Sequence, residues 1–219
     1  VEMWMNAYET WATCNLAETC VESLTVRQLL ELTGVGEKAV DDIMAMKLTY
    51  GAIEGSQRLR EAIASLYKSV SPEQISVMHG AIGANALTLT GLIERGDHVV
   101  TLLPTYQQHY SIPESIGAEV SPCWLKEELG WQPDLEELRR LATPGTKVIC
   151  INNPNNPSGA LMDEAMLKEI VDIARACGAY LLCDEAYRGL NHEGDPFSPA
   201  VADLYEKGIS TGTMSKPFS

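Results

Sequence analysis

"MDEAMLKEIVDIARACGAYLLCDEAY", residues 162–187, is the stretch that decides the fold. Acids stand at 163 and 164, apolar residues at 166, 167, 170, 171 and 174, and Gly178 follows the last of them. That spacing predicts a helix over 163–177, acidic where its dipole is positive and stopped by glycine. The run "YLLCD" (180–184) behind it is short and apolar, the mark of a strand buried on both faces. Similar runs lie outward on both sides: "ISVMH" (75–79), "DHVVTLL" (97–103), "AEVSPCW" (118–124), "KVICI" (147–151) and "GISTG" (208–212). Helical spacing fills most of the gaps, at 84–95, 107–116 and 134–142. Strands alternating with helices predict an α/β protein, a three-layer α/β/α sandwich on a mostly parallel sheet. The longer connection 184–208 breaks the rhythm and reads as loop plus one short helix.

Before residue 75 the pattern changes. "LTVRQLLEL" (24–32) and "GSQRLREAIASLYKSV" (55–70) look helical, whereas residues 1–20 have no clear period. No repeat or low-complexity linker interrupts the chain. An N-terminal segment over 1–48 and a main domain over 49–219 is the expected organisation. The 219 residues carry 16 Lys and Arg against 30 Asp and Glu, a net charge of −14. That balance repels polyanions, so no nucleic-acid partner is expected. No apolar run approaches the roughly 20 residues that span a bilayer, and no signal-like N-terminus is present, so no membrane role is expected. The six cysteines form no CxxC pair and no metal-like cluster, and read as reduced thiols of a cytoplasmic protein with no metal site.

In an open parallel sheet, ligands bind beyond the carboxyl ends of the strands. The unusual residues fall there: "HGAIGAN" (79–85), "PTYQQHY" (104–110), "NNPNNPSG" (152–159), "DEAY" (184–187) and "TGTMSK" (211–216). Each also has a bland reading. "NNPNNPSG" is rich in ordinary turn formers, "HGAIGAN" suits a close-packed helix start, and Tyr106 suits packing. Asp184 and Lys216 suit a structural ion pair, although a carboxylate closing an apolar strand needs a partner whatever its role.

Taken together, the set suits a planar, phosphorylated, cationic cofactor bearing a carbonyl. The helix start offers backbone N–H groups to a phosphate. Tyr106 offers a face to a ring, Asp184 a carboxylate to a protonated ring nitrogen, and Asn156 and Tyr187 donors to a ring oxygen. Lys216 offers an amine to the carbonyl. These roles describe pyridoxal 5′-phosphate (PLP).

"NNPNNPSG", "DEAYRGL" and "STGTMSK", in that order, closely resemble the fold-type-I PLP enzymes, specifically the class I and II aminotransferases. "YGAIEGSQRLREAIASLY" (50–67) and "GAIGANALTLTGLIERGDHVVTLLPTYQQHY" (80–110) extend the likeness over essentially the whole chain. The resemblance implies a PLP-binding large domain and an enzyme that moves an amino group between an amino acid and a 2-oxo acid through a Schiff base on Lys216. Other PLP chemistry on the same scaffold, as in a lyase, decarboxylase or synthase, and an inactive fragment that keeps the fold are its rivals.

Position by position, it makes Lys216 the Schiff-base lysine and proton shuttle, and Asp184 the partner of the pyridine nitrogen. Asn156 and Tyr187 become donors to the ring oxygen, and Tyr106 the stacking aromatic. Thr213 and the backbone of Ala81 and Ile82 become phosphate ligands. Tyr50 becomes the tyrosine that reaches the phosphate of a neighbouring subunit, which implies a homodimer. There are departures. Ile82 stands where many relatives carry a hydroxyl, and Pro217 follows the lysine directly. "NLAETC" (15–20) replaces a glycine-containing stretch near the substrate carboxylate, which draws Glu18 and Thr19 into substrate choice. The chain also stops before the family's phosphate-holding arginine and its small C-terminal domain, so little transaminase activity is expected of the 219 residues alone.

Overall fold

The computed structural model describes residues 2–16 and 19–218, which leaves Glu18 outside the described residues. Its helices are α1 (Glu2–Tyr8), α2 (Val26–Thr33), α3 (Gly36–Met44), α4 (Gln57–Ala64), α5 (Gly80–Leu92), α6 (Gln108–Ile116), α7 (Leu135–Leu141), α8 (Glu164–Cys177) and α9 (Val201–Leu204). Its strands are β1 (His98–Leu103), β2 (Glu119–Trp124), β3 (Thr146–Asn152), β4 (Tyr180–Asp184) and β5 (Gly208–Thr211). The chain divides into two units, Val1–Met46 with Phe218–Ser219, and Lys47–Pro217.

In the first unit, Thr25 and Gln28 form a reciprocal capping box at the start of α2. Gly34, in the left-handed region at φ 66, closes the helix and turns the chain into α3. Neither α1 nor α3 is foreshadowed by the sequence pattern.

In the second unit the five strands are all parallel, in the order β2-β1-β3-β4-β5. Successive side chains point to opposite faces, and both faces are covered. Ile149 and Ile151 of β3 join a core with Leu138 of α7, with Leu167, Ile170 and Ala174 of α8, and with Val201 of α9. Val148 and Cys150 pack instead with Leu89 of α5 and with Ile112 and Ile116 of α6. The near-continuous apolar runs of β3 and β4 follow from this double burial, and the three-layer sandwich stands. Helix α8 begins where Asp163 accepts the Met166 N–H at 2.8 Å and ends at Gly178, φ 77.

"ISVMH" is not a strand. It runs extended, with the Val77 N–H on the Glu54 carbonyl at 2.9 Å, but pairs with no strand of the sheet. Apolar alternation gives a segment a buried side without giving it a neighbouring strand to bond. Helix α5 also starts four residues before the predicted 84, because Gly80 at φ 69 turns the chain directly into it. Among the described residues no helix is long and apolar enough to cross a membrane.

Candidate active site

Strand β4 ends on Asp184, flanked across the sheet by Asn152 of β3 and Thr211 of β5. Parity with Leu182 turns the Asp184 side chain toward α5 and α6, where it is 4% exposed. There Asn85 of α5 donates from Nδ2 to Oδ2 at 2.8 Å, and the Ala186 N–H donates to Oδ1 at 3.0 Å. His109 of α6, fully buried, brings Nε2 to 3.6 Å from Oδ2. Burial alone would push the Asp184 carboxyl up. The His109 ring, the Asn85 amide and the Ala186 N–H outweigh it and hold the group below the ordinary carboxylate value. The His109 ring is a basic side chain within 4 Å of its oxygens. A protonated ring nitrogen would give this buried charge a cationic partner, so the site fits that half of PLP.

On the neighbouring loop, Asn152 Oδ1 accepts the Asn156 N–H at 2.6 Å, while Asn152 Nδ2 donates to the Asp184 carbonyl at 2.8 Å. This fixes the turn after β3 to the end of β4. Asn156 Nδ2 then donates to Tyr187 Oη at 3.2 Å, so the hydroxyl hydrogen of Tyr187 points elsewhere as a donor. Lys216 Nζ lies 5.8 Å from the centre of the Tyr187 ring. Asn156, Tyr187 and Lys216 therefore form one cluster, joined to Asp184 through Asn152.

Ala81 and Ile82 occupy the first turn of α5, whose N-cap residue His79 gives no side-chain cap. The N–H groups of such a turn have no partner within their helix and attract anions. Ile82 is half exposed, and its carbonyl accepts from Gln108 Nε2 at 3.1 Å, tying α5 to α6. Thr213 lies in the turn after β5, where its Oγ1 accepts the Ser215 N–H at 3.2 Å. Tyr106, partly buried, follows β1 and accepts the His109 N–H on its carbonyl at 3.2 Å. Tyr50 is fully exposed, without a hydrogen bond or ring contact to the others among the described residues.

Sequence reasoning passed over His109, Asn85, Thr211 and Glu185, although the quoted motifs contain all four. A signal existed for two of them. Asn85 is the one amide in an otherwise small, hydroxylic and apolar helix, and Glu185 is an acid inside a strand exit. Glu185 is buried, accepting the Val201 N–H at 3.0 Å and the Ser210 hydroxyl at 2.6 Å on Oε1. Burial pushes its carboxyl up to about 7, against those donors and Arg188. Among the described residues no group of three His, Cys, Asp or Glu is placed to hold a metal ion.

A family model described as aminotransferase class I and II matches residues 26–219. Capreomycidine synthase of Streptomyces vinaceus is 30% identical over 100% of this chain and 56% of its own length. Arginine–pyruvate transaminase of Pseudomonas aeruginosa is 30% identical over 82% of this chain and 47% of its own. The chain thus spans about half the length of these curated relatives. A PLP-dependent aminotransferase from Streptococcus suis superposes with a TM-score of 0.94 at 46% identity, covering 100% of this chain and 58% of that one.

Proposed function

Since this chain belongs to the class I and II aminotransferases, a PLP-dependent family, we propose that the whole protein binds PLP at the carboxyl edge of β3, β4 and β5 and moves an amino group between an amino acid and a 2-oxo acid. The observation that carries this is Asp184: a carboxylate buried at the carboxyl end of β4 whose group is held below the ordinary carboxylate value. When bound, PLP supplies an aldehyde that takes up amines and a protonated ring that withdraws electrons from the bond being broken. Every other step falls to the chain. Asp184 keeps the ring nitrogen protonated. Asn156 and Tyr187 would donate to the ring oxygen. Tyr106 would offer its face to the ring. The amides of Ala81 and Ile82 and the hydroxyl of Thr213 hold the phosphate at the start of α5. Lys216 would supply the amine that reaches the aldehyde and, once freed, the general base that holds the substrate's α-proton. Tyr50 completes the phosphate site of a second subunit.

A second reading rests on capreomycidine synthase, alike over the whole of this chain: the same grip on PLP serves a synthase or lyase as well. One experiment tests both. The protein is titrated with PLP, its visible absorbance is followed, and amino acids are then added. A band that forms with wild type, fails to form with K216A and bleaches as the cofactor is recovered in its amine form supports transamination. Release of ammonia or a rearranged product, with the cofactor unchanged, supports the second reading. No band from folded wild-type protein overturns both.

A further inference from the structure

Asn85 is 1% exposed in the second turn of α5, among the apolar and small side chains of "GAIGANALTLTGL". A leucine would favour the helix more and bury at lower cost, so the amide stays buried at the expense of both. Its two ends are engaged by chemically opposite partners. Nδ2 donates to Asp184 Oδ2 at 2.8 Å, and Oδ1 accepts from Thr211 Oγ1 at 2.6 Å. Reversing the amide would set its oxygen against a carboxylate, so the arrangement admits one orientation. Thr211 and Asp184 are paired across β5 and β4 and are both 4% exposed. One amide therefore joins three elements: the helix whose first turn is the phosphate site, the strand that ends in the ring-nitrogen carboxylate, and the strand that leads to Lys216.

Asn85 also limits what the carboxylate can do. With the Asn85 amide on Oδ2 and the Ala186 N–H on Oδ1, the plane of the group is pinned by donors on both oxygens. A pinned carboxylate meets an incoming N–H in one direction. A loose one would have to be ordered by the ligand itself.

We propose that Asn85, set by Thr211, is the positioning residue that aims the Asp184 carboxylate at the ring nitrogen of PLP. This rests on the PLP reading above, and the test separates the two. PLP and its 1-deaza analogue, in which a C–H replaces the ring nitrogen, are titrated into wild type, N85L and T211V, with circular dichroism used to check each fold. A hydrogen bond to a charged group discriminates by roughly tenfold to a hundredfold, so wild type is expected to prefer PLP over the analogue by that ratio. N85L is expected to bring the preference near parity by weakening PLP alone. T211V, which leaves the amide oxygen of Asn85 without its donor, is expected to narrow it in the same sense. A variant that only loosened the fold would weaken both ligands equally. Wild type that prefers PLP while N85L keeps the whole preference overturns the role of Asn85 and leaves PLP in place. Wild type that binds neither ligand, or both equally, overturns the pairing of Asp184 with the ring nitrogen and this inference with it. Should N85L fail to fold, an undiminished preference in T211V overturns the role of Asn85 instead.

Discussion

Asp184 and Glu185 are chain neighbours, yet their surroundings drive them in opposite directions. Glu185 turns to the other side of the sheet, where Ser210 and the Val201 N–H serve Oε1 while Arg188 Nε stays 3.9 Å from Oε2. Burial dominates there and lifts its carboxyl from the ordinary 4.5 to about 7. An acid whose folded value is raised holds its proton more tightly when folded. Its contribution to stability is complete below 4.5 and is lost as pH climbs through about 7. The loss amounts to about 3 kcal/mol at about 1.4 kcal/mol per unit. Asp184, shifted the other way, withdraws its contribution only as pH falls below the ordinary aspartate range. Urea unfolding of the cofactor-free protein should thus show stability declining from pH 4.5 to 7, and E185Q should flatten that decline. An unchanged slope in E185Q would assign the decline to another group.

Among the elements, α8 shows how far local pattern reaches. Its acidic start, its apolar spacing and its glycine stop are all in the sequence, and the helix forms with Asp163 as cap. Removing that cap with D163A should cost about 1 kcal/mol and lower the melting temperature by roughly 2–4 °C. A melting curve superimposable on wild type would mean that the cap contributes nothing here. Strand β5 depends on a contact that no local pattern shows. A Cβ on Gly208 would press into the Val201 carbonyl, a backbone group that cannot swing aside. G208A should therefore destabilise by about 1–3 kcal/mol and displace the strand that leads to Lys216, so its loss of PLP affinity should exceed that of D163A. Equal PLP affinity in the two variants would uncouple β5 from the site. The same divide explains what the sequence disclosed. Strand exits, turn residues and the rim were legible because each is written within ten residues. "ISVMH" was misread because sheet membership needs a neighbour. His109, Asn85 and Thr211 were passed over because their partners stand far off in sequence, 99 residues away for Asn85 and Asp184.

For the whole molecule, composition and surface pull against each other. Leu48, Tyr50 and Ile53 are exposed together within six residues of one loop, and clustered apolar exposure marks a contact surface. The aminotransferase resemblance gives Tyr50 a role at the phosphate of a second subunit, which is why a homodimer is proposed. A net charge of −14 on each copy opposes that association. The opposition reaches across about 30 Å at 0.01 M salt but only about 8 Å at 0.15 M. Sedimentation equilibrium should accordingly find dimer favoured as salt rises over that range, and L48D should shift the balance back toward monomer at every salt concentration. If Tyr50 acts across the interface, Y50A should weaken PLP binding only where wild type is dimeric. Mixing Y50A with K216A should restore it in one of the two sites of the mixed dimer, the one whose lysine comes from the Y50A subunit and whose tyrosine comes from the other. Full PLP affinity in a wild-type monomer would remove Tyr50 from the site and the need for a second copy along with it.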